Sequence, residues 1–111
     1  MLDGNRIRER VDSAEFIGRL KAYGRDNVTC TSHAFFRLSR KQRKIFTCES
    51  IRDILFNEVP VLVGLQENGC HAAFYKHKSH RIIRIILDMK ADGVSVVTFY
   101  VIEERQLPVI K

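Results

Sequence analysis

The chain has 111 residues, 45% of them hydrophobic and 29% charged, with 19 Lys and Arg against 13 Asp and Glu for a net charge of +6. That length suits one domain with one core, and the apolar content excludes intrinsic disorder. No apolar run approaches the roughly 18 residues of a membrane span, the charged opening MLDGNRIRER argues against a signal peptide, and the cationic excess favours a polyanionic partner.

Cys30, Cys48 and Cys70 are odd in number, widely spaced and without a CxxC pair. Such a set predicts reduced structural thiols in a cytoplasmic protein, with neither a disulfide framework nor a cysteine-rich zinc site. Cys70, His71, His77 and His80 match no standard zinc spacing, so no metal and no cofactor is expected.

In DSAEFIGRLKAYG, Asp12 is a helix cap with Glu15 at the capping-box position. Phe16, Leu20 and Tyr23 form one apolar stripe, and Gly24 stops the helix. Val28 to Cys30 reads as a brief strand, and Ser32 as the cap of a second helix. Winding residues 33–45 at about 100° per residue turns Ala34, Phe35, Leu38, Gln42 and Ile45 inward. The same winding puts His33, Arg37, Arg40 and Lys44 in a row on the other side, close enough to engage successive phosphates. Phe36 falls beside that row, where it either stacks on an unpaired base or packs against the first helix. In FTCESIRDILF, Thr47 caps a third helix, Phe46 and Ile51 form a hydrophobic staple, and Ile51, Ile54 and Leu55 face inward.

From Glu58 the period becomes extended, giving VPVLVGLQ, CHAAFYK, RIIRIILD and VSVVTFYVI. Asn68-Gly69 and Asp92-Gly93 are hairpin signals because both dipeptides tolerate the positive φ of tight turns. The fold class is therefore α+β, with N-terminal helices packed on one face of a four-stranded antiparallel sheet.

Arg81 and Arg84 enter a run so apolar that it predicts a central strand. A guanidinium there keeps its charge and requires an anion, either a carboxylate such as Glu103, Glu104 or Asp88, or a ligand phosphate. By alternation the two point to opposite faces. Lys76, Lys78 and His80 lie in the preceding turn and, with Phe36, Arg40, Lys41 and Lys44, complete a candidate nucleic-acid-binding set.

TSHAFFRLSRKQ, followed by FTCESIRDIL, a strand pair around ENG, and RIIRIILDMKADGVSVVTFYVI, resembles small families of RelE-like fold whose first block reads His-Ala-x-x-Arg. The resemblance covers residues 28–102 as the core of a single domain over 1–111, with 1–27 as an N-terminal helical extension. It implies compact relatives of the RelE and ParE toxins, RelE-type members being metal-independent ribonucleases and ParE-type members acting on gyrase without cutting RNA. Carried over, the motif yields His33 and Arg37, with the strand arginine at Arg84 or Arg81. RelE-like nucleases also use a late tyrosine, for which Tyr100 is the only position.

The resulting expectation is an endoribonuclease that drives the 2′-hydroxyl onto the neighbouring phosphate. His33 accepts the proton, Arg37 with Arg84 or Arg81 stabilises the phosphorane, and His71, His80 or Tyr100 protonates the leaving oxygen. The alternative is a non-catalytic module of the same fold binding an acidic antitoxin or another protein. Expected partners are thus RNA, ribosome-associated or free, and an acidic antitoxin, with no membrane.

Overall fold

The structure, a computed structural model, describes residues 6–109. Residues 1–5, part of the charged opening read above, lie outside it, as do residues 110 and 111. The chain runs as strand β1 (Ile7–Arg10), helix α1 (Ser13–Tyr23), a 3-10 turn, strand β2 (Val28–Cys30), helix α2 (Arg40–Ile45) and helix α3 (Cys48–Asn57). Strands β3 (Leu62–Gln66), β4 (His71–Lys76), β5 (Arg81–Lys90) and β6 (Gly93–Glu103) follow, then a second 3-10 turn.

The architecture is α+β, but the sheet has six strands in the order β1-β3-β4-β5-β6-β2, not four. The strands β3 to β6 form the meander read from sequence. β1 adds an antiparallel edge against β3, and β2 adds a parallel edge against β6, which makes the sheet mixed. Residues 1–27 are therefore not a purely helical extension. The sequence hid β1 because IRER carries three charges in four residues and exposes three of them, as an edge strand can.

Local chemistry fixes the helices. Asp12 accepts the Glu15 backbone N–H at 3.0 Å, and Gly24 ends α1 at φ 87°, the left-handed region where glycine carries no Cβ penalty. Thr47 and Ser50 cap α3 reciprocally. Phe16 and Leu20 from α1 and Ile51, Ile54 and Leu55 from α3 pack on Val63, Ala73, Tyr75, Ile83, Ile85, Leu87 and Phe99 of the sheet. Each such large apolar side chain contributes about 1.5–3 kcal/mol by leaving water. The opposite face buries a smaller cluster of Leu62, Ala72, Phe74, Ile82 and Ile86, joined by Ile102 and Leu107. Burial on both faces explains why RIIRIILD reads as continuously apolar.

The turns divide. Gly69 has φ 89°, and the Asn68 side chain accepts the Cys70 N–H, as expected for Asn-Gly. Between β5 and β6, however, Lys90 pairs with Gly93, so the turn is made by Ala91 and Asp92 and Gly93 already belongs to the strand. Its missing side chain serves a close approach instead: a Cβ there would sit 3.0 Å from the Asn27 carbonyl oxygen.

The cysteine expectation is overturned. Cys30, the last residue of β2, and Cys48, the first of α3, form a disulfide with Cα atoms 5.9 Å apart, leaving Cys70 free. Linear spacing gave no sign of it because the pairing is made by docking α3 against β2, which the Arg52 Nε also ties by donating to the Val28 carbonyl at 2.8 Å.

Beneath α1, the buried His71 ring stacks on Phe16 at 6.1 Å, and the Arg19 Nη1 lies 3.4 Å from its Nε2. Burial, helped by the Arg19 charge, lowers the His71 pKa; burial, then Lys78 and Arg81, lowers that of His77. Unfolded histidine titrates near about 6.5, so below that pH the unfolded chain binds the protons that the folded one resists. The histidine contribution to stability is thus complete above about pH 6.5 and is lost as the pH falls through the lowered folded-state values. Thermal melts should show Tm falling over that interval, and His71→Gln should flatten the fall.

Candidate functional site

The stretch from Ser32 to Lys44 is not one helix. Residues 32–37 form consecutive turns, with Ala34 N–H donating to Thr31, Phe36 to His33 and Leu38 to Phe35 carbonyls. The cause lies in the sheet. The Ala34 carbonyl, which a helix would give to Leu38, accepts the Phe99 N–H at 2.9 Å and so fastens the segment along the edge of β6. Ser39 then starts α2 afresh through a capping box with Gln42. Arg43 braces the turns by donating from Nε and Nη2 to the Phe35 and Phe36 carbonyls, both at 3.1 Å.

Much of the expected inward stripe survives this change. Ala34 and Leu38 are buried and Phe35 packs against the core, but Ile45 is 67% exposed. The cationic row is broken: His33 and Arg37 stay together on the turns, while Arg40, Lys41 and Lys44 move onto α2. Phe36 does not pack on α1; it is 74% exposed, the opposite of a core residue.

His33, Phe36 and Arg37 form one wall of a cavity of about 410 Å³, and Arg84, Ile86, Val97, Thr98 and Tyr100 of β5 and β6 form the rest. The Arg37 guanidinium lies over the Tyr100 ring at 4.0 Å from its centroid. That of Arg84 lies 5.7 Å from the same ring and 5.3 Å from Phe74. Cation–π contacts of this kind contribute about 0.5–2 kcal/mol and fix the direction of the charge. Two permanent cations thus flank one tyrosine, and among the described residues the lining holds no carboxylate.

Register explains which arginine faces the cavity. Arg84 sits directly opposite Tyr100, whereas Arg81 sits opposite Glu103 and points to the other face. There it lines a second groove with Gln42, Ile45, Phe46, His77, Lys78, Ser79 and Val101. A bulge aligns Tyr100 with Arg84: Ile86 pairs with Thr98 but Leu87 with Val96, so Val97 is an extra residue in β6. The extra residue shifts alternation by one. Without it, Phe99 would face the cavity and Tyr100 the helices.

The remaining expected residues lie elsewhere. Lys76 ends β4 exposed, Lys78 belongs to the second groove, and His80, at φ 63° in the β4–β5 turn, has its Nδ1 3.7 Å from Glu104. His71 is buried under α1. Neither His71 nor His80 lines the cavity, so Tyr100 is left of the three proposed proton donors. Thr98, Val97 and Ile86 were missed; the doublet Val96-Val97, which breaks the alternation of VSVVTFYVI, was the available signal. Among the described residues, no group of three or more His, Cys, Asp and Glu side chains is placed to hold a metal ion. Also among them, no helix is long and apolar enough to cross a membrane.

Because Ala34 is fully buried where the turns meet β6, Ala34→Leu should destabilise the protein by about 1–3 kcal/mol in denaturant titrations. Phe36→Ala should stay within about 0.5 kcal/mol of the wild type, since the ring is exposed.

Compared with protein-family models, curated proteins and solved structures, the chain matches none.

Proposed function

We propose that the cavity binds single-stranded RNA and cleaves it without a metal ion, by attack of a 2′-hydroxyl on the adjacent phosphate. The observation that carries this reading is the convergence of His33, Arg37, Arg84 and Tyr100 on one cavity whose rim bears the exposed Phe36. The resemblance of the His-Ala-x-x-Arg segment to small families of RelE-like fold, a fold that includes metal-independent ribonucleases, is in keeping with it, as is the net charge of +6. The setting that goes with this reading is the cytoplasm, with ribosome-bound RNA among the substrates.

The chemistry divides among the four side chains. The His33 imidazole takes the 2′-hydroxyl proton as the O2′–P bond forms, as a general base. Arg37 and Arg84 donate to the phosphorane oxygens, where negative charge grows. As the P–O5′ bond breaks, the Tyr100 hydroxyl passes its proton to the leaving oxygen. The products are a 2′,3′-cyclic phosphate and a 5′-hydroxyl, and solvent returns both side chains to their starting protonation states. Phe36 stacks on a neighbouring base, which requires that base to be unpaired and contributes about 1–3 kcal/mol.

A second reading is favoured by one feature, the exposed aromatic ring beside unpaired cations. Among the described residues Arg37, Arg40, Lys41 and Lys44 form no ion pair, as befits a contact surface. The protein would then be a binding module for an acidic partner and not an enzyme.

Incubation with labelled single-stranded RNA in EDTA, with and without ribosomes, separates the two. Cleavage should leave cyclic phosphate ends and stop on 2′-deoxy substitution at the scissile nucleotide. His33→Ala should slow it about 10²–10⁴-fold, and Arg84→Met about 10²–10³-fold, with Tm nearly unchanged for His33→Ala. Wild-type protein that leaves RNA intact at high concentration defeats the nuclease reading. Partner binding that survives His33→Ala but is abolished by Arg37→Glu with Arg40→Glu establishes the module instead.

A further inference from the structure

We propose that the Cys30–Cys48 disulfide is a redox-sensitive clasp that holds the cavity wall in place. The two cysteines enclose residues 31–47, and that segment carries His33, Phe36 and Arg37, which among the described residues are all of the cavity lining that does not come from the sheet. The inference concerns the order of this wall and does not depend on RNA being the ligand.

Apart from Ala34, Leu38 and Phe46, which it buries in the core, and the Arg43 brace within it, the wall has few ties to the sheet. β2, from which it departs, is a three-residue parallel strand at the sheet edge. Beyond β2, two backbone hydrogen bonds tie the turns to β6: Thr31 N–H to the Val96 carbonyl at 3.0 Å and Phe99 N–H to the Ala34 carbonyl at 2.9 Å. The far end of the segment is firmer, because α3 buries Ile51, Ile54 and Leu55 in the core. The disulfide therefore joins the weakest edge of the sheet to a helix anchored in its core. Losing it lets β2 and the turns open locally while the β4–β5 pairing remains.

Chemistry at the bond suits a reversible link. Both cysteines are partly exposed. Cys48 is the first residue of the ten-residue helix α3, where the helix dipole stabilises a thiolate. A low-molecular-weight thiol, as its thiolate, attacks the Cys30 Sγ and expels the Cys48 thiolate, leaving a mixed disulfide on Cys30. A second thiol resolves it, giving the oxidised small-molecule disulfide and two protein thiols after a transfer of two electrons and two protons. Cys70 lies outside the enclosed segment.

Hydrogen exchange read by mass spectrometry, on the full chain with and without dithiothreitol, tests the clasp. Reduction should speed exchange across residues 29–38 by at least about tenfold while β4 and β5 keep their rates, the signature of local opening. Cys48→Ser should reproduce the reduced pattern without reductant, and Cys70→Ser should respond as the wild type does. Should Cys48→Ser fail to fold, the wild-type comparison alone decides. Unchanged exchange, acceleration shared equally by β4 and β5, or three reactive thiols in the unreduced protein would each overturn the proposal. An RNA cleavage assay that failed would leave these outcomes untouched, so the two readings stand or fall separately.

Discussion

A single backbone hydrogen bond, from the Phe99 N–H to the Ala34 carbonyl, decides the shape of the site. A helix through residues 33–45 would need that carbonyl for Leu38. Giving it to the sheet competes with that helical bond and holds the chain along the exposed edge of β6. Ala34 permits the approach because its side chain is small enough to be wholly buried there. Once the segment lies along β6, Arg37 projects over Tyr100 and His33 joins it in lining the cavity instead of standing in a solvated row. The edge of β6 is covered at the same stroke, as sheet edges generally must be.

Charge is partitioned around that arrangement. Glu49 and Asp53 of α3 engage Arg25, and Glu49 also engages Arg52, so acids and bases neutralise one another on that flank. Among the described residues the cavity lining has no carboxylate, and its two guanidinium groups are oriented by aromatic rings. An arginine set between Phe74 and Tyr100 retains its charge because guanidinium does not deprotonate in proteins. The field of the cavity is therefore built into the fold and does not vary with pH through its arginines.

Rigidity is distributed unevenly as well. The sheet side of the cavity rests on strands buried on both faces, whereas the opposite wall is a run of turns on a short edge strand. Elements of low local stability are where proteins place binding loops. The Cys30–Cys48 bridge closes the segment at its base, and in the chain-entropy account a loop of this size gains about 3 kcal/mol from such a link. Arg43 adds a second brace through the Phe35 and Phe36 carbonyls.

Caps, helix stripes and the four long strands were written in the sequence because they depend on neighbours three or four places away, or on strict alternation. Asp12, Thr47, Phe16, Leu20 and Ile51 acted as their local patterns dictated. Pairing His33 with Arg37 needed only their spacing, which helix and turns both satisfy. The choice of Arg84 over Arg81, the facing of Tyr100, the loss of the second helix and the disulfide were decided by contacts between residues distant along the chain. Register, the Val97 bulge, the β6 edge and the docking of α3 on β2 set them. A one-residue shift in a strand reverses every side chain beyond it, and no local pattern records which partner strand will impose that shift.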